Sequence, residues 1–324
     1  TLDEASLLVG LIQSPVLYDP YTDPEAAIAR RATVLRLMRE RGYITRAEEQ
    51  AAAGRPVILE PSDITMEAPH MVMHVREELE TRYGEQVLYR GGLRVYTTLD
   101  LDLQHRAEAA IRQHLPELRE RLATNAALVA LDPYTGDVLA MVGSADFYDA
   151  DIGGQVNVAT RPRQPGSTIK PLTYLVGMEQ RGWGPSTLLM DVERAFPDGA
   201  NPPYKPVNND AKFWGPMSLR ASLANSRNLP AVWALEQVGI PSLLEMAGRL
   251  GITSLTRPDY GLSLTLGGGY VTLLEMTGAY AALANGGQRV APRTILRVED
   301  QDDNILQSDE SPAPERVLDP RHAY

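Results

Sequence analysis

The 324-residue chain has no cysteine. Disulfide frameworks, thiol nucleophiles and cysteine-ligated zinc are therefore excluded. Lysine is nearly missing as well. Lys170, Lys205 and Lys212 are the only lysines, and arginine carries almost all the positive charge. Each lysine thus stands out as a candidate chemical group. No apolar run reaches the ~18 residues that a membrane-spanning helix needs, and no signal-peptide pattern is visible. Basic patches are scarce in a chain of formal net charge −11, so general nucleic-acid binding is not expected. What is present is an ordinary globular balance, 44% hydrophobic and 23% charged, long enough for one large domain or two smaller ones. The chain opens at Thr1 in the middle of a helical pattern, without an initiator Met. Asp319-Pro320 looks like the cap and first position of a new helix just before Tyr324. Both ends are expected to be cuts in a longer protein.

Residues 1–53 read as helical. Asp23-Pro24-Glu25 supplies a cap, a proline at the first helical position and an acidic first turn. Thr45-Arg46-Ala47-Glu48 has the capping-box pattern. Gly54, Pro56, Pro61, Ser62 and Asp63 mark a linker. A helix around Met71–Tyr83, a strand over Leu93–Thr98 and a long amphipathic helix from about Asp102 to Leu122, capped near Asp100, follow. At Ala126 the pattern changes. Ala127–Leu131 and Val138–Val142 are apolar runs separated by the turn chemistry of Asp132–Gly136, which predicts a β-hairpin. Helical stretches dominate from Ser167 to Leu250, and Gly267-Gly268-Gly269 precedes a helix over Leu273–Ala284. Residues 294–307 read as a second hairpin and 308–318 as an exposed loop. Hairpins, helices, then hairpins again predict an α+β domain with helices packed on an antiparallel sheet.

The main chemical candidate is Ser167-Thr168-Ile169-Lys170, introduced by Gln164-Pro165-Gly166. With Ser167 in the first helical turn, Lys170 lies on the same face. A lysine whose pKa is lowered by burial or a neighbouring cation can activate a serine hydroxyl, and a helix N-terminus offers partial positive charge and free N–H groups to an oxyanion. Alone, this spacing more often marks a capped helix with an exposed lysine. Ser226-Arg227-Asn228 is the second candidate: Ser226 can shuttle a proton and Asn228 can hold a substrate amide. Alone, it is a polar helix terminus. His70 and His74 have i,i+4 spacing but no evident third ligand, so packing is the better reading and no metal site is assigned. Gly267–Gly269 lacks the context of a phosphate-binding loop.

Taken together, Ser-x-x-Lys followed by Ser-x-Asn matches the ordered motifs of penicillin-binding proteins and class A β-lactamases. Arg163–Pro171 closely resembles the active-site segment of class A penicillin-binding proteins. Leu131-Asp132-Pro133…Gly136…Val138–Gly143 resembles the hairpin that opens their transpeptidase domain. Asn208-Asn209-Asp210…Phe213…Gly215-Pro216…Leu219-Arg220, Leu266–Gly269…Leu274-Glu275-Met276, and Gly92-Leu93…Tyr96–Asp100 are similar to the same proteins. Arg30–Leu35 resembles the last motif of their peptidoglycan glycosyltransferase domain.

The resemblance implies the helical tail of a glycosyltransferase domain at 1–53, a linker region at 54–124 and a partial transpeptidase domain at 125–324. It implies peptidoglycan cross-linking through an acyl-enzyme on Ser167, with Lys170, Ser226 and Asn228 as its partners and no cofactor. Expected partners are stem peptides ending in D-Ala-D-Ala, β-lactams, and lipid II and glycan strands through a glycosyltransferase core outside this chain. The expected place is the outward face of the bacterial cytoplasmic membrane, with the anchor outside this chain. A DD-carboxypeptidase or β-lactamase-like hydrolase and a non-enzymatic β-lactam sensor are the alternatives. No Lys-Thr-Gly occurs in the sequence. The family's strand of that sequence is expected downstream of Tyr324, and without it residues 1–324 alone are expected to acylate poorly. Leu273 and Ser144 stand where the family often has proline and glycine.

Overall fold

Local capping chemistry starts the first helices where the sequence places it. In the computed structural model, which describes residues 1–15, 17–21, 23–59, 66–198, 201–308 and 310–324, helix α1 spans Leu2–Leu11, α2 Pro24–Glu40 and α3 Arg46–Ala53. Asp23 accepts the Ala26 N–H at 3.0 Å. The Thr45 N–H donates to Glu48 at 2.7 Å and the Glu48 N–H returns to Thr45 Oγ1 at 3.3 Å, so two otherwise orphaned donors are satisfied. Helix α2 buries Ala27, Arg31, Val34 and Leu35, one face of a 3.6-residue repeat. Arg31 is not solvated: its guanidinium donates to the carbonyls of Ala53 and Arg55 at 3.1 and 2.9 Å and caps the end of α3. These elements belong to a compact unit, Thr1–Met66; a second comprises Glu67–Tyr324. The linker signals at Pro61, Ser62 and Asp63 lie outside the described residues.

In the second unit, α4 spans Pro69–Tyr83, α5 Glu85–Arg90 and α6 Leu101–Leu118. Strand β1 (Arg94–Thr97) pairs antiparallel with β9 (Ile295–Glu299), which pairs with β10 (Ile305–Ser308), in the order β1-β9-β10. The hairpin of β2 (Leu128–Leu131) and β3 (Val138–Val142) forms as the two apolar runs and the turn between them predict. The Val138 N–H donates to Arg293 O at 2.9 Å, and Thr98 Oγ1 to Val138 O at 2.7 Å. Gln104, buried on α6, donates to Met141 O at 3.3 Å and accepts Met141 N–H at 2.9 Å. A side-chain amide thus serves as the missing strand neighbour of β3 and fixes α6 against it.

The helical layer consists of α7 (Lys170–Arg181), α8 (Leu219–Ala224), α9 (Asn228–Val238), α10 (Ile240–Arg249), α11 (Leu273–Ala284) and the short α12 (Pro320–Ala323). Leu172, Val176, Leu235, Leu243 and Ala279 form the centre of its core. Two features depart from the sequence expectations. The stretch from Ser167 to Leu250 is interrupted by two ribbons, β4 (Leu188–Asp191) with β7 (Gly215–Ser218), and β5 (Phe196–Asp198) with β6 (Asn201–Tyr204). Pro197, Pro202, Pro203 and Pro216 cannot continue helices, and a two-stranded ribbon tolerates them because both of its strands are edges. Nor is 308–318 simply an exposed loop. Its end forms β11 (Glu315–Arg316), paired with β8 (Gln288–Arg289), and Val317 and Leu318 enter the helical core.

Leu273, where the family often has proline, is the first residue of α11 after the cap Thr272. That position favours proline because its N–H has no helical acceptor. Two residues on, Glu275 closes a capping box and ties a distant loop to the helix. Its carboxylate accepts the N–H groups of Thr253, Ser254 and Thr272 at 2.8, 3.0 and 3.0 Å, and the Ser254 hydroxyl at 2.6 Å. Burial alone would raise its pKa; the hydrogen bonds from Ser254, Thr272 and Thr253 outweigh it and bring the pKa down to about 2. A depressed carboxylate stabilises the fold fully above its ordinary value of 4.5, and that contribution is lost as the pH falls toward 2. Glu275→Gln is therefore expected to cost about 1–3 kcal/mol at neutral pH and to flatten the stability profile across that acid range. Denaturant titrations at a series of pH values check both effects; an unchanged acid limb in the variant would remove Glu275 as its source.

Candidate active site

Ser167 lies in a 3₁₀ turn, Gly166–Ile169, that leads into α7 at Lys170. With three residues per turn, side chains three apart eclipse one another, so Ser167 and Lys170 stack on one side. Ile169 is fully buried and anchors the turn, Lys170 is 1% exposed, and Ser167 is exposed. Pro171 occupies the second helical position, where its missing N–H costs nothing. The turn is braced from elements far away in sequence. Arg163 and Val271 exchange backbone hydrogen bonds at 2.8 and 2.9 Å. The Tyr280 hydroxyl on α11 donates to Thr168 O at 2.9 Å. Gly267, at φ +93°, abuts Gly166 so closely that a Cβ there would sit 2.4 Å from the Gly166 nitrogen. The glycine run thus serves close backbone approach to the serine turn.

Lys170 reaches away from the surface to the second motif. Its ammonium donates to Ser226 O at 2.6 Å, Ser226 Oγ at 3.1 Å and Asn228 Oδ1 at 2.7 Å. Burial first, and the Arg227 guanidinium second, bring its pKa down to about 8. Near neutral pH a real fraction of this amine is therefore unprotonated, which an exposed lysine would not provide. Asn228 is held at both ends of its amide: Nδ2 donates to Val207 O at 2.7 Å while Oδ1 faces Lys170. Its own N–H donates to Asn208 Oδ1 at 2.8 Å. One Nδ2 proton stays available to a ligand.

Ser226 has φ +51°. It follows the C-cap Asn225 of α8, and the Ser226 and Arg227 N–H groups return to Leu223 O and Ser222 O at 3.0 and 2.9 Å. This is the Schellman arrangement, which usually places glycine at the left-handed residue. A serine here is strained locally and presents its carbonyl and hydroxyl to Lys170.

The structure thus brings Lys170, Ser226 and Asn228 into contact. Among the described residues Ser167 Oγ makes no hydrogen bond, and the Ser167 N–H donates to no backbone carbonyl; this hydroxyl stands one 3₁₀ turn from the lysine, unengaged. Reading the motifs missed the anchors beneath them: Asp191, Asn208 and the inward-facing Arg227. Asn208-Asn209-Asp210 signalled a family likeness but no role, and Asp191 carried no signal. His70 is a packed core residue, its Nε2 paired with Gly154 O at 2.9 Å and its ring edge-on to Phe147.

Because the left-handed backbone at Ser226 costs an L-residue roughly 1–2 kcal/mol, Ser226→Gly is expected to be more stable than Ser226→Ala by about 0.5–1 kcal/mol. Both lose the hydroxyl, so the difference isolates the backbone. Equal melting temperatures for the two variants would show the turn to be unstrained.

The profile of the penicillin binding protein transpeptidase domain matches residues 126–323. Penicillin-binding protein 2D of Bacillus subtilis is 32% identical over 99% of this chain and 46% of its own length. Penicillin-binding protein 1B of Vibrio cholerae is 32% identical over 94% of this chain and 39% of its own. The crystal structure of penicillin-binding protein 1A from Haemophilus influenzae superposes with a TM-score of 0.77 at 23% identity, covering 98% of this chain and 60% of that one. That of PonA1 from Mycobacterium tuberculosis in complex with penicillin V gives 0.66 at 21% identity over 79% of this chain. The chain spans about half the length, or less, of the first two relatives. It belongs to the penicillin-binding protein transpeptidase family, on the class A branch.

Proposed function

We propose that Ser167 is the acylated nucleophile of a D-Ala-D-Ala transpeptidase that cross-links peptidoglycan. The supporting observation is the buried Lys170, one 3₁₀ turn from Ser167 and hydrogen-bonded to Ser226 and Asn228. In the neutral amine, two protons can stay on Ser226 O and Asn228 Oδ1, which leaves the lone pair to accept a hydroxyl proton. The unengaged Ser167 hydroxyl turns about χ1 and gives up its proton to Lys170 directly or by way of Ser226 Oγ. Ser167 Oγ then attacks the penultimate carbonyl of the stem peptide. The oxyanion meets the free Ser167 N–H at the positive end of α7. Collapse releases D-Ala, whose nitrogen takes the proton back through Ser226. The amine of a second stem peptide then attacks the ester and restores Ser167.

The wider reading places residues 1–53 at the end of a peptidoglycan glycosyltransferase domain, 54–124 in a linker region and 125–324 in the transpeptidase domain. The whole protein would then polymerise lipid II and cross-link the glycan strands on the outer face of the bacterial cytoplasmic membrane. Among the described residues no helix is long and apolar enough to cross a membrane. Penicillin V in the PonA1 structure supports β-lactams as ligands of this domain.

Acylation of the whole protein by a penicillin, followed by digestion and mass spectrometry, is expected to place the adduct on Ser167. An adduct elsewhere, or labelling of Ser167→Ala, refutes the assignment. Lys170→Arg keeps the charge but not the base, because arginine stays protonated. It is expected to slow acylation about 10²–10⁴-fold, and a rate near that of the wild type would exclude Lys170 as the base. Gly267→Ala, which forces a Cβ into the Gly166 backbone, is expected to slow acylation about 10²-fold through displacement of the serine turn. Unaltered kinetics in that variant would show the turn's position to be independent of Gly267.

A further inference from the structure

The middle residue of the second motif turns inward. Arg227 is 5% exposed in its side chain and meets Asp191, 0% exposed, at 2.8 Å from Nε to Oδ2. Its Nη1 reaches Asp210 at 3.0 Å, its Nη2 donates to Lys212 O, and the Trp214 ring covers the guanidinium at 4.4 Å. On β4, Asp191 takes two further donors: Asn208 Nδ2 at 2.7 Å and the Trp214 N–H at 3.0 Å. Asn208 Oδ1 in turn accepts the Asn228 N–H at 2.8 Å. One carboxylate therefore grips both residues after Ser226, Arg227 directly and Asn228 through Asn208.

A pair this deeply buried is a poor device for stability alone. Each ion loses several kcal/mol of hydration, and packed apolar side chains of similar volume commonly do as well or better. What an apolar pair cannot supply is direction. The guanidinium fork fixes orientation in a plane, and this fork sits between Ser226 and Asn228, the residues that hold the Lys170 amine. The strained backbone at Ser226 needs such over-determination to persist. The Arg227 charge also contributes to the lowered pKa of Lys170.

We infer that Asp191 and Arg227 form a positioning clamp, holding Ser226 and Asn228 against Lys170 in the geometry that acylation of Ser167 requires. The inference rests on the proposed role of Ser167 and assigns Asp191 and Arg227 no contact with substrate.

The test uses the whole protein and a chromogenic or fluorescent penicillin, with two quantities read separately: the fraction of molecules that become labelled and the limiting rate of acylation. Loss of fold lowers the first; loss of positioning lowers the second. The double variant Asp191→Asn/Arg227→Gln removes the ion pair without stranding a buried charge. It is expected to label to full stoichiometry at Ser167 with a limiting rate about 10²-fold lower. Arg227→Lys, which keeps the cation but loses the fork, is expected to fall between the double variant and the wild type, again with full labelling. Should the double variant fail to fold, Arg227→Lys decides alone: a limiting rate within about twofold of the wild type, in either folded variant, overturns the clamp. Failure of the wild type to acylate at Ser167 overturns the underlying reading instead, so the two failures are distinct.

Discussion

A lysine nitrogen sealed from water at Lys170 has three protons to satisfy, and the structure around it is organised by that need. All three acceptors come from residues 226–228. A single segment can offer a carbonyl, a hydroxyl and an amide oxygen to one point only if its backbone reverses sharply. The Schellman turn at the end of α8 makes that reversal and places Ser226 in the left-handed region. The proline-rich ribbons between α7 and α8, unforeseen from the sequence, carry Asp191 and the Asn208–Trp214 segment beneath this turn. Their irregular backbone is therefore tied to the placement of Ser226 and Asn228 around Lys170.

Ser167 is subject to a different constraint. As the proposed nucleophile it has to be accessible while its turn stays fixed. Contacts made by its neighbours meet that demand: Ile169 buries below it, Thr168 O takes the Tyr280 hydroxyl, and Gly166 abuts Gly267. These partners lie about a hundred residues away and belong to α11 and the glycine run before it. Glu275 fixes that helix to the 253–254 loop. The turn thus gains its rigidity from the core as well as from its own hydrogen bonds, Thr168 Oγ1 to Pro165 O and the Lys170 N–H to Ser167 O, while the Ser167 hydroxyl and N–H stay unengaged.

Much of this was legible in the sequence, and the reasons are local. The hairpin over 127–142, the capping box at Thr45 and the helix over Leu273–Ala284 each depend on residues within a few positions of one another. The Ser-x-x-Lys spacing on a helix start is also local, and so it was found. What stayed hidden depends on distance. Arg31 reads as one more solvated charge until α3 brings its terminal carbonyls within reach. Val317 and Leu318 read as loop until β8 supplies a partner for Glu315–Arg316. Asp191 is one of 42 acidic residues, and nothing near it in sequence marks it as a residue with no exposed surface. The ribbons at 188–218 escaped because proline content signals the end of a helix but not what replaces it.

Three departures from ordinary protein chemistry in this unit meet at one place. A left-handed serine, an ammonium at 1% exposure and an arginine–aspartate pair sealed from water each raise the free energy of the folded state relative to a bland alternative: glycine, a solvated lysine, an apolar pair. Left-handed non-glycine residues also occur at Ala68, Leu122, Ala211 and Asp303, so local strain by itself is not particular to the site. The three costs here do not stand apart from one another. They fall on Lys170, Ser226 and Arg227, and each is a condition of the next. The buried ion pair holds the arginine, the arginine fixes the turn that strains the serine, and the strained serine and its neighbour Asn228 receive the lysine. Their end product is an amine whose pKa lies at about 8, one 3₁₀ turn from an exposed, unengaged hydroxyl. That convergence is an argument for chemistry at Ser167 that does not depend on any likeness to other proteins.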